Sequence, residues 1–435
     1  MTPTARGEPS APRCRAWHRL GAAIGFWLTL ATAVTPSLGQ TQDANLPGAS
    51  LDSVMALARQ LSPAIAARAL EMAAAQARVT VAGALPDPTV RILSDDIDRI
   101  SGPRQNKMVY SAEQELPLWG KRELRRQAAN AEVDQAAAES RSTEAQLVEQ
   151  VKTGFAQYYI ADRAVAVAAD LQAATKIVFG VTQVRYAQGQ GAQTDALKAE
   201  AEVLRAAVST LRQTAVLTAA RRHLNTLLIR PADAPLARPK TLRALPSEAT
   251  LNPRTLSARL QQRNPALEAD AAGVRIAEAS RGLAERAGYP DLTIGAAAID
   301  RGSNGPAGFM VWIGAKVPLQ WGAVTARRQE AEATAGAMRA RQDARTQLLL
   351  GELAQALAVL DANRKLAAMI DTGLVGQIRA LRGAAMTAYS TNRGELVAVL
   401  LAERELFDLR LQSLQAVLEA QRQLAAIERL VGGAL

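Results

Sequence analysis

Side chains able to do chemistry are scarce in this chain. Its 435 residues include one cysteine, Cys14, and two histidines, His18 and His223. Soft and borderline metals are held by clusters of thiolate and imidazole. Covalent catalysis needs a nucleophile hydrogen-bonded to an oriented base. A phosphate-binding loop needs a glycine-rich run that opens a helix. The sequence has no Ser-His-Asp arrangement and no phosphate loop, and too few histidines and cysteines for a catalytic metal. It therefore predicts no enzyme, no catalytic residue, no metal site and no cofactor. His223 stands beside Arg221 and Arg222 and reads as a surface group.

The remaining polar candidates gather at two breaks in long proline-free stretches. One break is Gly189-Gln190-Gly191, followed by Asp195. The other is Ser390–Gly394, which contains Arg393 and is flanked by Tyr389 and Glu395. Asp195 and Glu395 would each open a helix, where a negative charge is favoured by ~0.3–1 kcal/mol. Helix capping alone is enough to account for both carboxylates.

The elements that place these breaks occur twice. Pro86-Asp87, a short apolar run, Pro117-Leu118-Trp119-Gly120 and Arg125-Arg126-Gln127 are answered by Pro290-Asp291, another apolar run, Pro318-Leu319, Trp321-Gly322 and Arg327-Arg328-Gln329. Ser62-Pro63-Ala64 answers Asn264-Pro265-Ala266. Tyr186, Gly191 and Glu200 answer Tyr389, Gly394 and Glu403, all about 202 residues on. A fixed period means one supersecondary unit used twice. Proline inside a helix costs roughly 3 kcal/mol, and none of the 19 prolines lies between Leu118 and Arg230 or between Leu319 and Leu435. Each copy therefore reads as helix A, strand, loop, strand, helix B, tight turn, helix C. Helix A is expected at 51–84 and 254–287, B at 120–187 and 321–388, and C at 194–229 and 395–431. Leu147, Val151, Phe155, Tyr158, Val165, Leu171, Val178 and Val181 form one apolar stripe along the first helix B. At ~1.5 Å per residue B is roughly 100 Å long, and A and C stacked end to end would cover it.

Thr89–Ser94, Val109–Leu116, Leu292–Ile299 and Phe309–Val317 read as two hairpins, with polar loops at 95–106 and 301–306. Each strand could reach ~9–11 residues, enough to cross a bilayer when tilted. Four strands cannot close a barrel, and a lipid-facing sheet with open edges is not viable. Membrane barrels need at least about 8 strands, so several chains would have to share one. Trp119, Trp321 and Trp312 would then be membrane-interface aromatics; the plainer reading of the first two is packing at a strand-to-helix corner.

The expected organisation is a signal peptide at 1–39 and an N-terminal segment at 40–50. A first repeat at 51–229, a linker at 230–253, a second repeat at 254–431 and a tail at 432–435 follow. Arg6, Arg13, Arg15 and Arg19 precede the apolar run Leu20–Val34, and small residues at 36–39 follow it, as in a secretory leader. No other apolar run approaches 18 residues, so the mature chain is expected to lack a transmembrane helix and any cysteine. Net charge is +10, falling to +7 without the leader. The basic residues are interspersed with acids, without aromatic interleaving, which speaks against nucleic acid.

Leu85–Pro88 (LPDP), Glu115–Ala128 (ELPLWGKRELRRQA) and the tip patterns Tyr186–Leu197 and Tyr389–Leu400 resemble the TolC-like outer-membrane efflux ducts of Gram-negative bacteria. The resemblance covers the whole mature chain. The Leu-Pro-Leu-Trp-Gly-Lys-Arg stretch is most similar to the branch paired with heavy-metal RND pumps of the cobalt-zinc-cadmium or copper-silver type. Many members carry a lipidated first cysteine, which this chain lacks. The resemblance implies a mainly α fold with a membrane β-barrel. A homotrimer would share a 12-stranded barrel, four strands per protomer, in outer-membrane lipid above a 12-helix periplasmic tunnel. Its implied partners are a periplasmic adaptor (membrane fusion protein) and an inner-membrane RND pump. The implied activity is passive conduction of heavy-metal cations to the exterior. The prolines at 231, 235, 239, 246 and 253 would mark an equatorial belt. The tip residues Asp195 and Tyr389 match the family's periplasmic gate, with Gln190, Arg393 and Glu395 nearby and Arg393–Asp195 a candidate pair. Ala398 and Leu401 stand where the family often has further carboxylates, so the closing network must differ. Drug efflux and type I protein secretion would use the same fold, and a soluble periplasmic coiled-coil scaffold is a third possibility.

Overall fold

Proline, glycine and small polar caps set the element boundaries. The computed structural model describes residues 46–97, 105–301 and 306–435. The predicted leader and the tips of both strand-to-strand loops lie outside these residues. Ser50 caps α1 (Leu51–Leu61), and Ser62 caps α2 (Pro63–Gly83). Strands β1 (Thr89–Ile97) and β2 (Gln105–Leu116) lead to α3 (Lys121–Ala187) and α4 (Gln193–Leu227). The second copy follows as α5 (Pro253–Arg263), α6 (Pro265–Arg286), β3 (Asp291–Asp300), β4 (Gly308–Lys316) and α7 (Trp321–Met369). A π turn at Ile370–Leu374 then leads into α8 (Val375–Ser390) and α9 (Leu396–Leu430).

Three helices expected to be continuous are interrupted. Helix A splits at Ser62-Pro63 and at Asn264-Pro265. Proline has no N–H to continue the ladder and drives the residue before it out of the α region. Ser62 and Asn264 are accordingly extended, with ψ 113° and 119°. Asn264 Oδ1 accepts from the backbone N–H of Ala266 (2.9 Å) and Leu267 (3.2 Å), while its Nδ2 donates to the Leu430 carbonyl (2.8 Å). The second helix B is interrupted by the π turn. The repeat landmarks are 202 residues apart at Arg125 and Arg327 but 203 apart at Tyr186 and Tyr389. A π turn absorbs a single extra residue without ending the helix, and it lies between those two landmarks.

The long helix α3 is the spine. Its first part packs against α2 and α6, and its second part against α4 and α9; α9 also packs on α7 and α8. A rod has no single core, and the apolar side chains form separate clusters along it. One joins Val54, Phe155, Tyr158 and Leu224; another joins Leu260, Leu353, Leu360 and Ile427. A third, at the far end, joins Val178, Tyr389, Leu396 and Leu400. Contrary to the expectation from sequence, α3 includes a stretch apolar enough to cross a membrane by length and composition. Of that stretch 28% is buried inside the chain.

Residues 230–252 wrap the middle of the bundle without regular structure. They are tied down by Tyr158 Oη donating to the Ala237 carbonyl (3.2 Å) and by Arg238 on Asp162 (3.0 Å). Buried Glu428 takes Lys152 (3.0 Å) and Arg243 (2.6 Å).

The four strands form one antiparallel sheet in the order β1-β2-β3-β4, so β2–β3 pairing joins the two repeats. The register sorts the side chains by face. Val90, Ala112, Ala296 and Val311 share one row, and Ile92, Tyr110, Ala298 and Phe309 share another row on the same face. Val90, Ile92, Phe309, Val311 and Ile313 on that face are 60–76% exposed. The opposite face carries Arg91, Glu113, Thr293 and Lys316.

Candidate functional site: the paired helix turns

The α3–α4 and α8–α9 turns repeat one backbone design. Gly189 has φ +70°, and its counterpart Asn392 has φ +60°, the left-handed region that glycine and asparagine tolerate best. The Gln190 N–H donates to the Arg185 carbonyl (2.9 Å), and the Arg393 N–H to the Ala388 carbonyl (2.8 Å). Gly394 is obligatory for space, because a Cβ there would meet Ala388 Cβ at 2.8 Å.

One arginine binds the two turns together. Arg185, on the last turn of α3, is 7% exposed. Its guanidinium donates to the carbonyl of Tyr389, to Asn392 Oδ1 and, at 3.2 Å, to the Gln190 carbonyl. It also lies over the Tyr389 ring, 4.2 Å from the centroid. A cation on an aromatic face gains from the ring quadrupole, most when both are removed from water. Tyr389 is 2% exposed, and its Oη donates to Thr182 Oγ1 (3.3 Å). Thr182 spends its own proton on the Val178 carbonyl (2.9 Å), leaving its oxygen free to accept.

Of the gate candidates, only Tyr389 and the Gln190 backbone join this cluster. Asp195 is half-buried in the first turn of α4, and Arg393 is exposed in the other turn. Among the described residues neither carries an ion pair, so the Arg393–Asp195 pair is not formed within the chain. Glu395 occupies the N-cap position of α9 and is exposed; neither it nor Asp195 makes a side-chain cap hydrogen bond. What favour these carboxylates give their helices is therefore electrostatic. The side chains that hold the turns, Arg185, Thr182 and Asn392, escaped the sequence reading. The available signal was the contrast between repeats: Ala388 stands in register with Arg185.

Two buried carboxylates lie further along the same helices. Glu202 on α4 accepts Arg404 Nε (2.6 Å) and Arg205 Nη1 (3.0 Å). The Arg404 hydrogen bonds hold its carboxyl below the usual range. Glu403 on α9 lies 3.7 Å from Arg382, but burial outweighs that charge and pushes its carboxyl up.

At the other end, the strand-to-helix corner contains the first predicted interface tryptophan. Trp119 has φ +61° and is 52% exposed; its Nε1 donates to the Pro290 carbonyl (2.7 Å) and its ring lies 5.3 Å from that of Tyr289. Lys121 donates to Asp291 (2.8 Å) and to the Tyr289 carbonyl (2.9 Å). The Pro-Asp of one repeat thus meets the Trp-Gly-Lys of the other. Trp321 opens α7 and is 63% exposed. Trp312 departs from the expectation. It pairs with Gly295 in mid-strand, on the face that carries Glu113 and Lys316, and its ring covers Gly295 so closely that no Cβ would fit. Strict alternation sends it away from the apolar face.

The arrangement holds polar side chains in place. Among the described residues no group of three or more His, Cys, Asp or Glu is placed to hold a metal ion. No curated protein matches the sequence. Solved structures do match its fold. The outer-membrane channel OprN superposes with a TM-score of 0.77 at 21% identity, over 88% of this chain and 90% of that one. CusC superposes with a TM-score of 0.78 at 17% identity, over 92% and 96%. VceC from Vibrio cholerae, an outer membrane protein, gives 0.76 at 16%, over 88% and 96%. The family model of the outer membrane efflux proteins matches residues 54–228 and 256–433, one match for each repeat. The chain belongs to the outer membrane efflux protein family.

Proposed function

We propose that three copies of this chain form one duct that passively conducts substrate, heavy-metal cations in particular, from an RND pump and its periplasmic adaptor to the exterior. The observation that carries this reading is the sheet. Its outer strands, β1 and β4, are hydrogen-bonded to one neighbour each, and one face is apolar and exposed. In lipid every backbone group must be paired, so such a sheet has to be completed by other copies. Two copies would supply 8 strands, the smallest membrane barrel; three supply 12 and leave a lumen. The polar face with Arg91, Glu113 and Lys316 would line that lumen. Trp119 and Trp321, both exposed at the strand-to-helix corner, would mark the lipid interface.

The helices support a ring of the same order. Leu197, Leu204 and Leu211 on α4 are all more than half exposed and recur every seven residues. Such a stripe is covered in a coiled coil by a second helix, and a neighbouring copy would provide it. At the open end, Asp195, Gln190, Arg393 and Glu395 are available to pair between copies around the mouth, with Tyr389 holding the turn behind them. The metal assignment rests on the Pro-Leu-Trp-Gly-Lys-Arg run at 117–122. Cells lacking the chain should become more sensitive to cobalt, zinc and cadmium or to copper and silver, and regain resistance on complementation. Unchanged metal sensitivity with raised drug sensitivity would replace the metal reading by drug efflux.

A further inference from the structure

We propose that strand β4 of one copy pairs with strand β1 of the next in a single register, with Ile313 opposite Ile92 and Lys316 opposite Thr89. This rests on the ring reading above and specifies the joint that closes it. The internal repeat supplies the register. Pro86 and Pro290 are 204 residues apart, and Pro117 and Pro318 are 201 apart. These two offsets carry β1 onto β3 and β2 onto β4. They agree with the pairing inside the chain, where Thr89 pairs with Glu113. The offsets turn that pair into Thr293 with Gly314, which is a pair that β3 and β4 make. Across the middle of the sheet, Ala112 pairs with Ala296 and Glu115 with Thr293. Carried over by the same offsets, these become Ile313 with Ile92 and Lys316 with Thr89, one partner on each edge strand. A unit used twice in one sheet is joined to its next copy as its own halves are joined.

The side chains on the two edges fit this register. Val90 and Ile92 of β1 lie on the exposed apolar face, as do Val311 and Ile313 of β4. Setting Ile313 on Ile92 and Ala315 on Val90 continues that face unbroken. A slip of one residue would turn one strand's apolar set to the polar side. On the polar face Arg91 falls opposite Gly314, as Glu113 falls opposite Gly295 inside the chain. At each joint a long charged side chain meets a residue with none. A row of partners starting at Val90 runs through Ala112, Ala296 and Val311. It would reach the next copy's β1 at Ser94, four residues further along. Three such steps stagger 12 strands by about 12 residues and tilt them by about 35°. Membrane barrels have tilts of about 35–45°.

The register also brings together two charges that are unpaired in one chain. Inside the chain the β2–β3 joint ends where the Leu118 N–H donates to Asp291 (3.2 Å) and Lys121 closes on the same carboxylate (2.8 Å). The counterpart of Asp291 is Asp87, which is exposed, and Ala323 stands in register with Lys121. The outer joint therefore needs another cation. Lys316 is exposed at the end of β4, and Asp291, opposite it on β3, is held by Lys121. Among the described residues neither Lys316 nor Asp87 has an ion pair. With Lys316 opposite Thr89, the next copy's Asp87 is its diagonal neighbour on the same face, within reach of a long side chain. Leu319, the counterpart of Leu118, would present its N–H to the same carboxylate.

The chain's only cysteine, Cys14, lies in the predicted leader, so introduced pairs can be oxidised without background. The full protein, in isolated outer membranes, is oxidised and run on a non-reducing gel. Ile92→Cys/Ile313→Cys and, on the polar face, Thr89→Cys/Lys316→Cys should link chains in twos and threes. The pairs shifted by two residues, Ile92→Cys/Val311→Cys and Arg91→Cys/Lys316→Cys, should link about fivefold less, because diagonal neighbours exceed the reach of a disulfide. Asp87→Lys should lower the share of three-chain species in a mild-detergent extract about twofold, since like charges then meet. The exchange Asp87→Lys/Lys316→Asp should restore it, which would not happen if the substitution merely impaired folding. A shifted pair that links as well as its unshifted one would overturn the register and leave the ring standing. An exchange that restores nothing would overturn the Lys316–Asp87 contact. Absence of linked chains from every pair would overturn the ring itself.

Discussion

Tyr389 serves two neighbours at once, offering its ring to Arg185 and its hydroxyl to Thr182. Removing only the hydroxyl isolates the second role. Tyr389→Phe should cost about 0.5–1.5 kcal/mol of stability, because Thr182 Oγ1 stays buried; thermal melting of the detergent-solubilised protein would measure it. Glu403 and Glu202 make opposite predictions about pH. Burial raises the Glu403 carboxyl above its ordinary 4.5, so the folded state binds a proton that the unfolded state has released. Stability from this group is present below pH 4.5 and is lost as pH rises through the folded value. Glu403→Gln should therefore raise Tm at pH 7 and leave it unchanged at pH 4. Glu202 is lowered by Arg404, so its contribution is present above 4.5 and is lost as pH falls through the folded value. Arg404→Ala should destabilise at pH 7 by about 1–3 kcal/mol and by less in acid. Tyr389 was legible in the sequence because it follows the repeat and precedes a glycine turn. Arg185 was not, since an arginine on an arginine-rich helix carries no local mark of burial.

At the scale of the element, the repeat was legible and so were its strands, because prolines, glycines and alternation leave marks along the chain. Two features were visible and misread. Ser62-Pro63 and Asn264-Pro265 have the form of a helix start, a capping side chain followed by proline in the first turn, yet were placed inside a continuous helix. Asn264→Ala should remove both the cap and the bond to Leu430, costing about 1–3 kcal/mol by denaturant titration. The π turn was written in the spacing, as the drift from 202 to 203 residues between landmarks. Deleting Gly373 should convert the turn to ordinary α-helix while keeping the register on both sides, and assembly should survive. The same deletion at Ala164 in α3 would rotate everything beyond it by about 100° and should abolish assembly; extraction and gel migration of the two variants would separate these outcomes.

For the whole molecule, the proposed ring rests on what a single chain leaves open. The sheet ends in strands β1 and β4 with one hydrogen-bonded neighbour each, and its apolar face is open. The α4 stripe at Leu197, Leu204 and Leu211 is open as well. Each would bury apolar surface at roughly 25 cal/mol per Å² once covered, and the pairing of edge strands admits no substitute in lipid. One chain contributes four strands, so the proposed three copies would supply 12. The most direct measurement is the mass of the assembly extracted from outer membranes in mild detergent, by native mass spectrometry. A species of three chains, each of 46.2 kDa less the predicted leader, is expected. A folded single chain recovered from the aqueous fraction without detergent would contradict it.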